Sequence, residues 1–379
     1  MLFFNYRKKR KRWWTMAGSG SGYSHHHSRP SSSGYHRKRS KGKRAAVAVV
    51  SVLLVLCLLG GAGVGGFFYL RYTGRNSLMQ AAASTAPLLE GESGDTVVRN
   101  GRKYRYNENL INILLMGIDQ RTEQVKEQKS ESGGSGQADA IVLLTIDSEA
   151  QTMKLTAIPR DTITEISVRD ASGNSAGKSK NHLALAYAYG DGGMESGELS
   201  VEAVSNLLYQ LPIHGFAVIR MDAVEKLNDS VGGVTVTVPE AMEMNGITYE
   251  AGQTLNLTGS QALSYVRARD MEAAGANLQR MERQKGYAVS FIQSAKQALQ
   301  KEPTLAVQLY QEITADMVTS IGMDEAVYLA SMLPQLKFSV DDIQTVQGTI
   351  RQGKKYEEFY ADEDALQELI LNTFYREVS

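Results

Sequence analysis

Asp119 in MGIDQR, Asp139 in QADA, and Arg160 with Asp161 in IPRDT each stand at the end of a short aliphatic run. Two carboxylates close to several guanidiniums suit a divalent cation and a polyphosphate. Hard oxygens hold Mg²⁺, and the arginine fork binds phosphate oxygens two at a time. Arg121, just beyond Asp119, is a further candidate for substrate binding. A second group comes later, in GSQALSYVRAR (Gly259–Arg269) and NLQRMERQ (Asn277–Gln284). Arg267 and Arg269 alternate, so they share one side only of an extended segment. Arg280 and Gln284, four apart, share a helical face, while Arg283 points partly away and reads as a surface ion pair. Each of these Asp residues, taken alone, reads more readily as a turn former or helix cap. No HExxH pair, Walker glycine loop or CxxC pair occurs, which removes the usual signatures of zinc proteases, P-loop enzymes and thiol redox proteins.

The elements that must position these residues are legible as runs. Leu110–Ile118, Ala140–Asp147 and Lys154–Ile158 are aliphatic enough for strands covered on both faces. Val125–Gly136, polar and glycine-rich, reads as a surface loop. Helices are expected over Leu183–Tyr189, Val201–Leu211, from Ser260, over Arg280–Leu299, Leu305–Val318, Asp324–Leu333 and Asp364–Phe374. Strands are expected at Phe216–Ile219, Val234–Val238 and Ile343–Gln347. Strands alternating with helices give a layered α/β domain, and if the first three strands are neighbours their polar ends meet at one sheet edge, where α/β sites lie.

Ala45–Leu70 carries no charge, and roughly 20 apolar residues of helix cross a hydrocarbon core. Thirteen Lys or Arg and no acidic residue precede it, so the positive-inside bias puts the N-terminus in the cytoplasm and the rest outside. A cleavable signal peptide would be shorter and nearer the start. Outside that tail, 28 basic residues face 41 acidic ones, a balance that speaks against nucleic acid as a partner. The tail's charge suits orientation at anionic lipid. The one cysteine, Cys57, lies in the uncharged run, so disulfides do not hold the outer part together. The expected order is a disordered tail (1–44), an anchor (45–70), a stalk (71–106), a catalytic domain (107–302) and a helical C-terminal extension (303–379) that either completes that domain or lids it.

ILLMGIDQR, IPRDT, GGVTVTVP, LTGSQALSYVRAR and RMERQ, in that order over about Leu110–Gln300, resemble the successive motifs of the LytR-CpsA-Psr family. The resemblance implies a membrane-anchored phosphotransferase that moves anionic glycopolymers, such as teichoic acid or capsule polysaccharide, from a polyprenyl pyrophosphate carrier to peptidoglycan. It also implies a mixed β-sheet layered between helices, with a pocket for the polyprenyl chain. On this resemblance Asp119 and Asp139 match the Mg²⁺ ligands, Arg160, Arg267 and Arg269 the pyrophosphate-binding arginines, and Arg280 and Gln284 the remaining head-group contacts. Asp161 joins the catalytic set. Leu183, Leu185, Tyr187, Leu207 and Leu208 could line the lipid pocket, and core packing explains them equally. The chain departs from the family pattern at Gln137, where Arg is usual, and at Asn277, where Asp is favoured. The alternative is a non-catalytic module that binds polyprenyl phosphates or wall polymer in a regulatory, attenuator-like role.

Overall fold

The computed structural model of the chain describes residues 64–80, 96–99, 101–118, 136–170, 172–220, 222–268, 276–353 and 356–378. The basic tail and residues 45–63 of the uncharged run lie outside these. Among the described residues no helix is long and apolar enough to cross a membrane.

The first described element is helix α1, over 64–80. Two short strands, β1 (Thr96–Arg99) and β2 (Arg102–Tyr106), precede the three aliphatic runs, which form β3 (Leu110–Ile118), β4 (Ala138–Asp147) and β5 (Thr152–Ala157). A hairpin of β6 (Ile163–Arg169) and β7 (Ser175–His182) leads to the single turn α2 (Leu185–Ala188) and to α3 (Met194–Leu207). The chain then re-enters the sheet as β8 (Gly215–Arg220) and leaves it through α4 (Asp222–Ser230). Four short strands follow, β9 (Val234–Thr237), β10 (Met242–Met244), β11 (Ile247–Tyr249) and β12 (Thr254–Leu257), then α5 (Gly259–Arg267) and the long α6 (Ala276–Lys301). The remainder is α7 (Leu305–Ile313), β13 (Met317–Thr319), α8 (Met323–Met332), β14 (Ile343–Thr345), a hairpin of β15 (Gly348–Gln352) and β16 (Glu357–Ala361), α9 (Glu363–Phe374) and β17 (Tyr375–Val378).

Six strands make a mixed central sheet in the order β13-β8-β3-β4-β5-β14, with β3 parallel to β8, β5 parallel to β14 and the other neighbours antiparallel. Strand side chains alternate between faces. Leu114, Met116 and Ile118 of β3 pack into a core shared with Ala203 and Val204 of α3 and Ile370 of α9, whereas Ile111 and Ile113 pack on the opposite face with Tyr328 and Met332 of α8. A strand sandwiched in this way has no wet face to mark with polar residues, and so reads as one aliphatic run. A second core joins Val234 and Val236 of β9, Leu257 of β12, Tyr265 of α5 and Ala295 of α6. The GGV turn before β9 needs its glycines, since Gly232 and Gly233 have φ of +84° and +90°.

Three expectations change. The segment 305–318 is not one helix: α7 ends at Ile313, and Met317–Thr319 pairs with the open edge of β8, a tertiary partner that outweighs local helical pattern. The segment after Pro303 completes the domain, because it supplies both edge strands of the sheet, and Leu366, Ile370, Leu371 and Phe374 of α9 enter the main core. Finally, residues 71–80 are docked helix rather than stalk. Phe67 and Leu70 of α1 pack among α6, α7 and α8, and Leu78 is fully buried beside Tyr328. Gly74 makes this approach possible, since a Cβ there would meet the Asp324 carbonyl oxygen at 2.0 Å.

Candidate functional site

Strand direction gathers the chemistry. The carboxyl ends of β3, β5, β8 and β14 and the amino end of β4 lie along one sheet edge: Ile118 pairs with Ala138 and Arg220, and Ala157 with Val142 and Thr345. The β3–β4 ladder passes from Gly117↔Ala140 to Ile118↔Ala138, leaving Asp139 without a partner. Such a bulge turns a side chain out of the pleat, a device common beside active sites.

IPRDT is a tight turn in which the amide and hydroxyl of Thr162 both donate to the Pro159 carbonyl, at 3.0 and 2.6 Å, so Arg160 and Asp161 occupy its two central positions. The following loop fastens this turn to β4: Ala184 N–H donates to the Arg160 carbonyl (2.9 Å), and the Ala184 carbonyl accepts from Ala138 N–H (3.4 Å). Arg160 Nη1 donates to Asp139 Oδ1, and Arg160 Nε lies 3.7 Å from Asp161 Oδ1. His182 Nδ1 lies 3.7 Å from the same Asp161 oxygen. These groups border a cleft of about 350 Å³ lined by Gln137, Arg160, Asp161, His182, Leu185, Tyr356 and Glu357.

Asp139, Arg160 and Asp161 are thus together. Asp119, Arg121 and Arg269 lie outside the described residues, and of Arg280 only the helical backbone in α6 is described. Ile118 and Ala138, the residues preceding Asp119 and Asp139, are paired. Arg267 ends α5, and the backbone turns extended at Ala268. The last carbonyls of a helix lack internal partners, and here α6 supplies them. Gln284 Nε2 donates to the Val266 carbonyl (3.1 Å), and Arg283 Nη2 donates to that of Ala268. Arg283 also pairs with Glu240 at 3.2 Å, and its side chain is 5% exposed, so the expected ion pair exists but is buried because Arg283 caps α5. Gln284 therefore reaches the carboxyl end of α5, which Arg267 terminates, while the Asp139–Arg160–Asp161 group sits on the sheet edge. Leu183, Tyr187 and Leu208 are buried in the main core and are core residues. Leu207 is partly buried against it, and Leu185 lines the cleft.

Two residues escaped the sequence reading. His182 sits in the polar stretch KSKNH, which carries no pattern. Arg220 gave the same signal as Arg160, a base ending an aliphatic strand. Its Nη1 donates to the Ala315 carbonyl (3.3 Å), and its charge acts on Tyr187, whose hydroxyl burial pushes up to about 12 while Arg220 pulls it back.

Among the described residues no three His, Cys, Asp or Glu side chains gather as a metal cage. Mg²⁺ rarely needs one: it keeps waters and takes one or two carboxylates together with substrate phosphate. Asp139, turned out by the bulge with its side chain 32% exposed, is a donor of that kind.

The LytR_cpsA_psr family matches residues 72–373 of the chain. The polyisoprenyl-teichoic acid–peptidoglycan teichoic acid transferase TagU of Halalkalibacterium halodurans is 31% identical over 49% of the chain and 54% of its own length. TagU of Bacillus subtilis is 28% identical over 59% and 62%. The chain thus spans little more than half the length of the curated relatives it matches. Among solved structures, B. subtilis TagV is 25% identical, with a TM-score of 0.53 over 69% of this chain and 94% of that one. Protein gbs0355 of Streptococcus agalactiae, at 22% identity, has a TM-score of 0.54 over 69% and 85%, a likeness of fold.

Proposed function

This chain belongs to the LytR-CpsA-Psr family, and we propose that it is a membrane-anchored, extracytoplasmic phosphotransferase that moves an anionic glycopolymer from a polyprenyl pyrophosphate carrier to peptidoglycan. The observation that carries the reading is the Asp139–Arg160–Asp161 group at the sheet edge, with Arg160 and Asp161 lining the adjoining cleft. The TagU relatives, which are polyisoprenyl-teichoic acid–peptidoglycan teichoic acid transferases, support it.

In this proposal Arg160, Arg267 and Arg269 hold the pyrophosphate oxygens, and Arg121, Arg280 and Gln284 complete the head-group contacts. Asp139, with Asp119, would hold Mg²⁺, which supplies neutralisation of charge on the phosphate oxygens. The acceptor hydroxyl oxygen attacks the sugar-bearing phosphorus, the bond from that phosphorus to the lipid phosphate oxygen breaks, and polyprenyl monophosphate leaves with the electron pair. Asp161, backed by His182, is the base proposed for the hydroxyl proton. Positioning and charge neutralisation supply most of the catalysis in such transfers, so no covalent nucleophile is required.

The proposal keeps the anchor in the uncharged run that begins at Ala45, since roughly 20 apolar residues are enough to cross a hydrocarbon core. The deciding experiment is transfer of lipid-linked donor to peptidoglycan by the purified full-length protein in Mg²⁺. Arg160→Ala, Arg267→Ala and Asp139→Ala are each expected to lower turnover at least a hundredfold. Wild-type rates in all three variants would defeat the proposal.

A further inference from the structure

One wall of the cleft has no part in phosphoryl transfer. It is built by Tyr356 and Glu357, at the start of β16, nearly two hundred residues after the arginine turn. We propose that these two side chains form a subsite for a pyranose ring of the glycan substrate. Tyr356 stacks on the sugar's C–H face, and Glu357 accepts hydrogen bonds from its hydroxyls. The substrate class rests on the transferase reading; the subsite rests on geometry.

Tyr356 is 71% exposed although it lines the cleft. A large ring that lines a cleft and keeps its face in water is placed to act as a contact surface for a ligand. Its place is nonetheless held. Gly353 N–H donates to the Tyr356 carbonyl at 3.0 Å, and β15 and β16 pair from Gly348↔Ala361 to Gln352↔Glu357. Phe359 N–H then donates to the Asp161 carbonyl at 2.9 Å, and Phe359 bridges Thr162, so the hairpin is stitched to the turn that carries Arg160 and Asp161. A platform held in advance loses little freedom on binding. His182 meets the Tyr356 ring edge-to-face, with centroids 6.3 Å apart and planes at 72°, a contact that still leaves most of the ring in solvent.

The surrounding chemistry selects the ligand. An aromatic face carries negative quadrupole density that attracts polarised C–H groups. An ionised Glu is acceptor-only and demands donors. A wholly apolar ligand would strip water from Glu357, Asp161 and Gln137 without replacing it. A bare anion beside Tyr356 would meet the Glu357 carboxylate, and Arg160, the arginine lining the cleft, is paired with Asp139 and Asp161. A pyranose offers an apolar C–H face and a rim of hydroxyl donors in one ring.

Both glycopolymer donor and peptidoglycan acceptor carry such rings, so the test varies each separately with the full-length protein. Tyr356→Ala is expected to raise KM for one of the two about fivefold to tenfold with kcat within about twofold, whereas Tyr356→Phe, which keeps the ring, stays near wild type. The substrate whose KM moves identifies the occupant. Glu357→Gln should raise the same KM, and it serves where Tyr356→Ala disturbs the hairpin. Unchanged KM for both substrates would overturn the subsite. Saturation-transfer NMR of the wild-type protein, with an N-acetylglucosamine–N-acetylmuramic acid disaccharide and with lipid-free donor glycan as probes, separates this failure from that of the transferase reading. Ring-proton signals lost in Tyr356→Ala, in a protein that transfers nothing, would retain the subsite and remove the transferase. Signals from neither probe would remove the subsite alone.

Discussion

Arg283 shows how a charged residue in a functional motif can serve the frame around it. Its guanidinium is buried against Glu240 and caps the Ala268 carbonyl, so its removal leaves a half-buried carbonyl and a half-buried carboxylate without their donor. Arg283→Met is expected to cost about 2–3 kcal/mol in thermal or denaturant unfolding. His214 makes a pH-dependent contribution. Its Nδ1 accepts the Asn112 N–H at 2.7 Å, and burial pushes its pKa down from about 6.5 to about 4. The folded state therefore holds the neutral ring while the unfolded chain protonates. The stability is present in full above about pH 6.5 and is lost as pH falls toward 4, by about 3 kcal/mol. His214→Asn, which keeps an acceptor, should flatten that slope in unfolding curves taken between pH 7 and 4; an unchanged slope would assign the loss to other groups. At this scale the sequence exposed the types Asp139, Arg160 and Asp161 but hid the roles of Arg283 and His182, because burial and partners depend on elements far along the chain.

At the scale of elements, α1 was the least legible. The uncharged run reads as continuous through Leu70, since hydropathy is the same whether a residue meets lipid or a protein face. Packing against α6, α7 and α8 assigns 64–80 to the domain. Gly74→Val would drive a side chain into the Asp324 carbonyl and is expected to release α1, read as new protease cleavage near residues 64–80 and a lower Tm. Leu78→Ala, which removes a fully buried side chain from the same helix, should cost about 2–5 kcal/mol. If both variants melted like wild type, α1 would not be docked. The hairpins were illegible for a different reason. Most of β7, SAGKSKNH, is exposed, so it buries no alternating face, and β15 is exposed throughout. Backbone pairing alone makes them strands.

Among the described residues the domain is built around one six-stranded sheet, both of whose edge strands come from the C-terminal segment. A chain ending at Glu302 would lose β13, β14 and α9, uncovering β5 and β8 and opening the main core around Ile370 and Phe374. It is expected to show no cooperative thermal transition by circular dichroism, and a sharp one would mean that 303–379 is a separable appendage. Residue types and runs were enough to give the aliphatic strands β3, β4 and β5, the α/β class and the ordered motifs of the family, because a local pattern records which faces a segment must bury. The bulge that frees Asp139, the stitching of Arg160 to β4 and the approach of Tyr356 to His182 arose only on folding. Each depends on which distant backbone completes a hydrogen-bond ladder, a choice settled by the packing of the entire sheet.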